Sequence, residues 1–197
     1  MQHPSDTLHA RKRRKARAMI VSSAFQLFSE HGFDNVTVAA IAERAEVGRT
    51  TFFRYFGDKQ QVLFADECDE VDRMCAYVRD KAGRPLGSDL GAALALLREA
   101  DTVTKPYAVL SPAHSAVLVR LLRESVDLRS RYLLTRQQRA LRLAGALVEA
   151  GAVEKVAVLA AHTAMACELT AMRFAESPEA YPVHMEEAHG LLRSLGG

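Results

Sequence analysis

Tryptophan is absent from this chain of 197 residues, and only six prolines and three cysteines occur. No run of alternating β-branched residues appears either, which excludes a substantial β-sheet. Alanine, the best helix former, is abundant. Because proline breaks helix interiors, the proline-free stretches 5–84 and 113–177 can each hold long helices. We therefore expect an all-α protein.

The three cysteines, Cys68, Cys75 and Cys167, form no CxxC pair. This excludes a disulfide framework or a zinc knuckle and predicts a reducing cytoplasm. Cys68 and Cys75 share one helix face, and the sequence leaves open whether they fill core or sense redox state. His184 and His189 are spaced too unfavourably for a helical metal site. We expect no metal and no cofactor.

A long, purely apolar run is also missing. The nearest to one, Val153–Ala175, carries Glu154, Lys155, His162, Glu168 and Arg173, which predicts a buried helix of a soluble protein instead of a membrane span. The basic stretch near the start is followed by amphipathic sequence, so we expect no signal peptide.

Positive charge is concentrated at one end of the chain. Residues 1–60 hold ten Lys and Arg against six Asp and Glu, whereas residues 61–197 hold sixteen against eighteen. The densest part is the basic cluster 11–15 together with Arg17. A basic head on a near-neutral body is typical of a protein whose one end meets a polyanion.

Periodicity and capping residues predict the helices. The first covers Leu8 to His31 and ends at Gly32, which suits a left-handed cap. A short second helix follows the N-cap Thr37, and a third covers residues 49–56. A long fourth helix is expected from Asp58 to about Lys81. Further helices are predicted over 88–101, 113–126, 127–150, 153–176 and 180–195.

The segment 36–59 carries the functional signal. Ile41, Ala42, Ala45 and Val47 are small apolar residues that let two short helices cross around a tight turn. Phe52 and Phe56, four residues apart, are predicted to face that core. Thr50 and Arg54 then point outwards, together with Arg49, Thr51 and Phe53. Such a face suits hydrogen bonds to base edges and phosphates in a major groove.

This segment resembles the N-terminal signature of the tetracycline-repressor (TetR) family over about residues 15–63. The resemblance rests on Gly32-Phe33, Thr37-Val38-x-x-Ile41-Ala42, Val47, Thr51-Phe52-Phe53-x-Tyr55-Phe56-x-x-Lys59 and Val62. It implies a three-helix helix-turn-helix DNA-binding domain, residues 1–57. A larger helical domain for ligand sensing and dimerisation, residues 58–197, is implied to follow.

The resemblance also implies residue roles. Thr37, Tyr55 and Lys59 would bind phosphate, and Arg49, Thr50 and Thr51 would enter the major groove. The family often has tyrosine where Phe53 stands, so its contact with DNA would be apolar. It also often has glycine in place of Thr50 and serine in place of Gly48, so individual operator contacts differ from the common pattern.

The C-terminal part carries apolar surface beyond the needs of one core. Val156–Cys167 is apolar on nearly every side, which agrees with a homodimer formed by the last two helices. A ligand pocket would be lined by helices between about 60 and 175. Candidate residues are Met74, Tyr77, Tyr107, His114, His162 and Cys167, and for each the alternative is an ordinary core position.

The expected function is sequence-specific binding of double-stranded operator DNA by a repressor that a small-molecule effector releases. The alternative is a ligand-independent regulator or an activator with the same fold. The motifs of an enzyme are missing, including a nucleophile elbow, a phosphate-binding glycine loop and HExxH. We expect neither catalytic residues nor a membrane partner.

Overall fold

A computed structural model describes residues 8–81, 85–104, 112–175, 177 and 180–194. These residues form ten α-helices and no β-strand, as the composition predicts. The helices are α1 Leu8–His31, α2 Val38–Arg44, α3 Arg49–Tyr55, α4 Lys59–Leu63, α5 Ala65–Asp80, α6 Leu90–Thr104, α7 Pro112–Glu124, α8 Val126–Glu149, α9 Glu154–Phe174 and α10 Tyr181–Ser194.

The fold divides into two compact units. The first consists of Met1–Ala65 with Val109–Leu121, and the second of Asp66–Ala108 with Leu122–Gly197. The predicted boundary between a DNA-binding domain, residues 1–57, and a sensing and dimerisation domain, residues 58–197, stays a prediction. Among the described residues, no helix has the length and apolar character needed to cross a membrane.

The first unit is organised around α1, which contacts both α2 and α4. Its inner face buries Ile20, Val21, Ala24, Phe25 and Phe28. The Phe25 and Phe28 rings meet edge to face, with centroids 6.0 Å apart. The helix ends as predicted, because the next residue is a glycine at φ +77° whose amide donates to the Phe28 carbonyl at 3.1 Å.

Two short helices then cross around a tight turn. Thr37 caps α2, since its Oγ1 accepts a hydrogen bond from the Ala40 amide at 3.1 Å. Glu46 adopts a left-handed φ of 53°, which reverses the chain before α3. Ile41 and Ala42 on α2 are buried, as is Phe52 on α3. The small side chains therefore let α2 and α3 approach closely, as the sequence predicts.

The predicted single helix from Asp58 to Lys81 is wrong, because the chain breaks at Phe64 into α4 and α5. Val62, Leu63, Phe64 and Ala65 are all buried. Four consecutive residues point around most of the circumference of a continuous α-helix, so one helix face cannot bury them all. The backbone accordingly leaves helical geometry at Phe64, where φ is −109° and ψ is 29°.

The second unit is built around α9, which contacts α6, α8 and α10. Its core is made mainly of alanine, leucine and valine from α5, α6, α8 and α9. Small side chains allow close packing on more than one side of α9, where Ala157, Ala160, Ala161 and Ala171 are buried. The apolar character of this helix in the sequence reflects that burial.

Two backbone hydrogen bonds join the loop before α6 to the turn between α8 and α9. The Gly87 amide donates to the Gly151 carbonyl at 2.9 Å, and the Val153 amide donates to the Gly87 carbonyl at 2.8 Å. Gly151 has φ +85°, and a Cβ placed there would lie 2.9 Å from the Cα of Pro85. Only glycine therefore fits this turn without strain.

Candidate functional sites

The exposed face of α3 is the first candidate site. Phe52 is fully buried and Phe56 nearly so, as predicted. Because Phe52 and Phe56 pack one side of α3 against the core, the other side of the helix, with Arg49, Thr50 and Arg54, is exposed. The result is a polar surface with two guanidinium groups, supported by the buried rings of Phe52 and Phe56.

Phe53 and Tyr55 complete this surface. Phe53 is 50% exposed although its ring meets the Phe52 ring edge to face at 5.5 Å. Tyr55 is half-buried, and the Arg54 guanidinium lies 5.3 Å from the centre of its ring. Thr51 is also half-buried. The DNA contacts predicted for these residues stay predictions, as do those of Thr37, which is exposed at the start of α2.

Lys59 has contacts that the sequence does not predict. Its Nζ donates to the carbonyls of Phe33 at 2.7 Å, Val36 at 2.9 Å and Asp34 at 3.3 Å. The same ammonium lies 4.4 Å from the centre of the Phe33 ring. The side chain therefore points into the turn between α1 and α2, and its predicted contact with phosphate stays untested.

Part of the basic cluster is also engaged within the protein. The Arg17 guanidinium donates to the carbonyl of Ala65 and lies 5.4 Å from the centre of the Phe56 ring. Lys12, Arg13 and Lys15, which precede Arg17 on α1 by about half a turn to one and a half turns, are exposed. Arg17 thus contributes to the packing of the first unit, whereas the exposed cations of α1 can meet an external anion.

The second candidate site is a cavity in the second unit with a volume of about 30 Å³. Its wall combines leucine and methionine side chains with five Arg, Asp or Glu residues. The lining residues are Met74, Leu94, Leu97, Arg98, Asp101, Arg136, Arg139, Ala140, Leu143, Ala161, Ala164, Met165, Glu168, Met185 and His189.

Two of the residues that line this cavity are buried arginines. Arg136 Nη1 lies 2.8 Å from Glu168 Oε2, and Arg139 Nη2 lies 3.3 Å from Glu168 Oε1. Arg139 Nη2 also lies 3.3 Å from Glu70 Oε1 and 3.8 Å from Asp101 Oδ1. Buried charges need such partners, because transfer from water is costly for an isolated ion. We call these five residues the charged cluster.

Burial changes the proton affinity of groups in and beside the charged cluster. Desolvation raises the pKa of Glu70, although the Arg139 and Arg136 charges act in the opposite direction. Tyr181 also has a raised pKa, chiefly because of desolvation and secondly because of the Glu168 charge. Both groups therefore favour the protonated form more than they would in water.

Of the pocket residues predicted from sequence, Met74 lines the cavity. Tyr77 instead donates a hydrogen bond to the Glu99 carboxylate, and His162 Nδ1 lies 2.9 Å from the Val158 carbonyl oxygen. Cys167 is buried, and desolvation raises the pKa of its thiol. None of these three is among the lining residues. Their predicted role in ligand binding remains untested.

The remaining two candidates lie elsewhere. His114 belongs to the first unit, where its ring stacks on the Phe25 ring with centroids 4.8 Å apart. Tyr107 lies outside the described residues. Among the cysteines, Cys75 is buried with a raised thiol pKa that comes mainly from desolvation, and the side chain of Cys68 is outside the described part.

Sequence reasoning missed Arg136, Arg139 and Asp101 as cavity residues. A usable signal was present: Arg136 and Arg139 are three residues apart and share a helix face with Leu143, an apolar core residue. Glu168, inside the apolar run 153–175, was a second signal. Charged residues at core positions predict a buried ionic cluster when a partner is available.

The two short helices, their tight turn and the polar face of α3 define a helix-turn-helix protein. The family model for bacterial regulatory proteins of the TetR family matches residues 20–65, which contain this unit. The matched segment runs from Ile20 in α1 through α4. The fold and the matched sequence therefore agree on the same part of the chain.

Curated relatives extend this likeness. The chain is 36% identical over 92 residues to the HTH-type transcriptional regulator TcmR of Streptomyces glaucescens, which covers 46% of this chain and 41% of TcmR. It is 30% identical over 79 residues to the HTH-type transcriptional repressor KstR of Rhodococcus jostii, which covers 40% and 37%. The matches thus span less than half the length of either relative.

A solved structure from Syntrophomonas wolfei, described as a TetR-family transcriptional regulator, has the same fold. It superposes with a TM-score of 0.53 and 19% sequence identity, covering 90% of this chain and 95% of that chain. At this identity the likeness concerns the fold alone. The family model and the curated relatives support a TetR-family regulator, and the family model places the match in residues 20–65.

Proposed function

We propose that this protein is an operator-binding transcriptional repressor that works as a homodimer and is released by a small molecule. Residues 1–57 would form the DNA-binding head, and residues 58–197 would sense the ligand and form the dimer. Because bacterial DNA lies in the cytoplasm, the proposal includes the predicted cytoplasmic location. TcmR and KstR, which bear the names of a regulator and a repressor, support the proposed class of function.

The observation that carries the proposal is the division of α3 into two faces. Phe52 of α3 and Phe56, which directly follows the helix, are buried, whereas Arg49, Thr50 and Arg54 are exposed. Such a helix can enter a major groove, where arginine bonds to guanine and a threonine methyl contacts thymine. The exposed Lys12, Arg13 and Lys15 add charge that phosphates would neutralise.

Exposed apolar side chains on the last two helices support the homodimer. Phe174 is 62% exposed on α9, and Leu191 is 69% exposed on α10. Val158, Leu159 and Val183 on the same two helices are also exposed. Burial of such residues against a second copy would remove them from water, and a two-fold axis would present two α3 helices to successive grooves.

The cavity with its charged cluster supports the effector site. Apolar leucine and methionine walls with a few oriented polar groups are typical of ligand sites. The volume of about 30 Å³, however, has room for only one or two water molecules. A ligand would have to expand it. This small volume favours the alternative, a ligand-independent regulator or activator with the same fold.

A gel-shift experiment on DNA flanking the protein's own gene tests the DNA-binding proposal. We expect a discrete complex with one fragment that a hundredfold excess of scrambled DNA does not displace. Binding that is equally strong to scrambled DNA would contradict sequence-specific recognition. A complex whose mass corresponds to two chains per operator would support the homodimer.

Reciprocal titrations test the effector. A molecule that raises the thermal midpoint is titrated against the protein with and without operator DNA. A released repressor must bind that molecule more weakly in the presence of DNA, by the same factor by which the molecule weakens DNA binding. Typical coupling would be about 5- to 150-fold. Equal affinity in both titrations would favour the ligand-independent alternative.

A further inference from the structure

We propose that the cavity in the second unit binds an amphipathic cation, with an ammonium or amidinium head beside Asp101 and Glu70 and an apolar tail among methionine side chains. The inference rests on the proposed function, because it names the chemical class of the effector at the same cavity. The balance of charge around the cavity, the positions of its carboxylates and its adaptable walls all favour such a ligand.

Carboxylates outnumber guanidinium groups in the charged cluster, which contains three of the former and two of the latter. The cavity wall also includes Arg98, whose guanidinium donates to the Glu186 carboxylate, so that pair adds no net charge. With all of these groups ionised and His189 neutral, one negative charge is in excess. A cationic head would balance it, because opposite charges attract most strongly where water is excluded.

An anionic ligand would meet the opposite situation. Both guanidinium groups already have a carboxylate partner, since one oxygen of Glu168 lies 2.8 Å from Arg136 Nη1 and the other lies 3.3 Å from Arg139 Nη2. Arg136 Nε also donates to the Tyr132 hydroxyl at 2.7 Å. A ligand carboxylate would have to displace Glu168 from these arginines, and it would add a further negative charge to a site that already has an excess.

Glu70 and Asp101 share a single donor atom. Glu70 Oε1 lies 3.3 Å from Arg139 Nη2, and Asp101 Oδ1 lies 3.8 Å from the same nitrogen. Charge-assisted hydrogen bonds of this type are usually about 2.7–2.9 Å long. That nitrogen also lies 3.0 Å from Met74 Sδ. Because Asp101 lines the cavity, a ligand cation can bind these two carboxylates while Glu168 keeps its own partners.

The protonation of Glu70 is coupled to this binding. Desolvation raises its pKa, the Arg139 and Arg136 charges act in the opposite direction, and the Asp101 and Glu168 charges raise it again. A ligand cation would add to the effect of the two arginines and favour the ionised form. The cation would therefore replace a proton, and it should bind more tightly as pH rises and Glu70 ionises.

The walls of the cavity can widen to admit an apolar tail. Met74, Met165 and Met185 come from α5, α9 and α10 and line the cavity together. Methionine is unbranched and polarizable, so it repacks around a ligand more readily than branched side chains do. The Arg98–Glu186 pair, which joins α6 to α10, has exposed side chains, and such pairs stabilise a structure little. Neither feature strongly opposes expansion.

Three probes with the same alkyl chain test the charge of the head: n-octylamine, which is an ammonium ion at neutral pH, octan-1-ol and octanoate. Calorimetry measures their binding to the full chain without DNA. We expect octylamine to bind roughly tenfold more tightly than octan-1-ol, as a hydrogen bond to a charged group predicts, and octanoate to bind most weakly. Equal or tighter binding of either other probe, or no binding of octylamine at millimolar concentration, would overturn the proposal.

Isosteric variants test the position of the head. Asp101→Asn and Glu70→Gln should each reduce the ratio of octylamine affinity to octan-1-ol affinity several-fold. Glu149→Gln is the matched control, because Glu149 is exposed and bonds to Arg79, and it should keep the wild-type ratio. The ratio is measured within each variant, so a general change of the cavity cancels. An unchanged ratio in both carboxylate variants would overturn the proposal.

A pH series tests the exchange of cation for proton. From about pH 5 to 7, above the ordinary range of a glutamate, octylamine affinity should rise more steeply in wild type than in Glu70→Gln. His189, which also lines the cavity, is present in both proteins, so its titration contributes to both. Equal steepness would overturn the placement of the head beside Glu70.

The ligand class and the proposed function fail in distinguishable ways. Octylamine that binds with these preferences but leaves operator affinity unchanged would support the ligand class and contradict release by a ligand of this cavity. Release of operator DNA by octanoate or octan-1-ol, combined with weaker binding of octylamine, would contradict only the ligand class.

Discussion

Arg136 Nη1 and Glu168 Oε2 lie 2.8 Å apart between α8 and α9, and the two side chains are only 9% and 11% exposed. The second oxygen of the same carboxylate lies 3.3 Å from Arg139 Nη2. One glutamate thus serves two buried guanidinium groups. Because neither arginine can lose its charge at ordinary pH, the second unit depends on this carboxylate.

Glu168→Gln should therefore destabilise the protein by about 3 kcal/mol, since it removes the negative charge that Arg136 and Arg139 share. Urea unfolding at fixed protein concentration measures the effect. Glu149→Gln is the matched control, because Glu149 bonds to Arg79 in a pair whose side chains are 56% and 49% exposed. The control should change stability far less. Equal losses in both variants would contradict the buried-charge interpretation.

Glu70 predicts a pH dependence. Its pKa is raised above the ordinary 4.5, chiefly by desolvation. The folded protein therefore binds more protons than the unfolded chain between the two pKa values, and Glu70 makes stability fall as pH rises through that window. Glu70→Gln should remove this component. Urea midpoints at several pH values from 4 to 7 should show a difference between variant and wild type that increases with pH; a constant difference would contradict the shift.

Two glycines should respond oppositely to alanine. Gly151→Ala forces a Cβ to within 2.9 Å of Pro85 Cα at φ +85°, so it should destabilise by about 1–3 kcal/mol. Gly145 lies within α8 with open space around its would-be Cβ. Gly145→Ala should stabilise by about 0.5–1 kcal/mol, the helix preference of alanine. Thermal unfolding of both variants measures this, and a stabilising Gly151→Ala would disprove the close approach.

Phe174→Asp should dissociate the proposed homodimer. A two-fold interface contains each substitution twice, so loss of two buried aromatic side chains should weaken dimerisation by roughly two to three orders of magnitude. Sedimentation at micromolar concentration compares this variant with Val126→Asp, whose side chain is equally exposed but lies on α8. The control should remain dimeric. Dissociation by Val126→Asp alone would place the interface on α8.

Arg49→Ala should reduce sequence discrimination. Loss of an arginine that reads guanine should cost about 1–3 kcal/mol on the operator and relax the preference at one base pair. Arg129→Ala is the matched control, because Arg129 is an exposed arginine of the second unit. Anisotropy titrations with operator and scrambled DNA measure both. An equal loss on the two DNAs would identify Arg49 as a phosphate contact instead.

Local sequence was enough to predict the head of the protein. The spacing of Phe52 and Phe56 determines which face of α3 is buried, and Thr37 and Gly32 set the limits of neighbouring helices. These features depend on contacts within a few residues, where helical periodicity and capping act. The TetR resemblance over residues 15–63 covers this same segment, and the TetR family model matches residues 20–65.

Tertiary structure alone decided which groups the charged side chains contact and where the long helix breaks. Lys59 meets carbonyls more than twenty residues away, and Arg139 meets Glu70 across 69 positions. Phe64 interrupts the expected helix because its neighbours on both sides are also buried. A pattern along the chain records polarity and spacing, but it does not record which distant group comes within 3 Å. Packing determines the partners of a charged side chain, and those partners determine the role of that side chain.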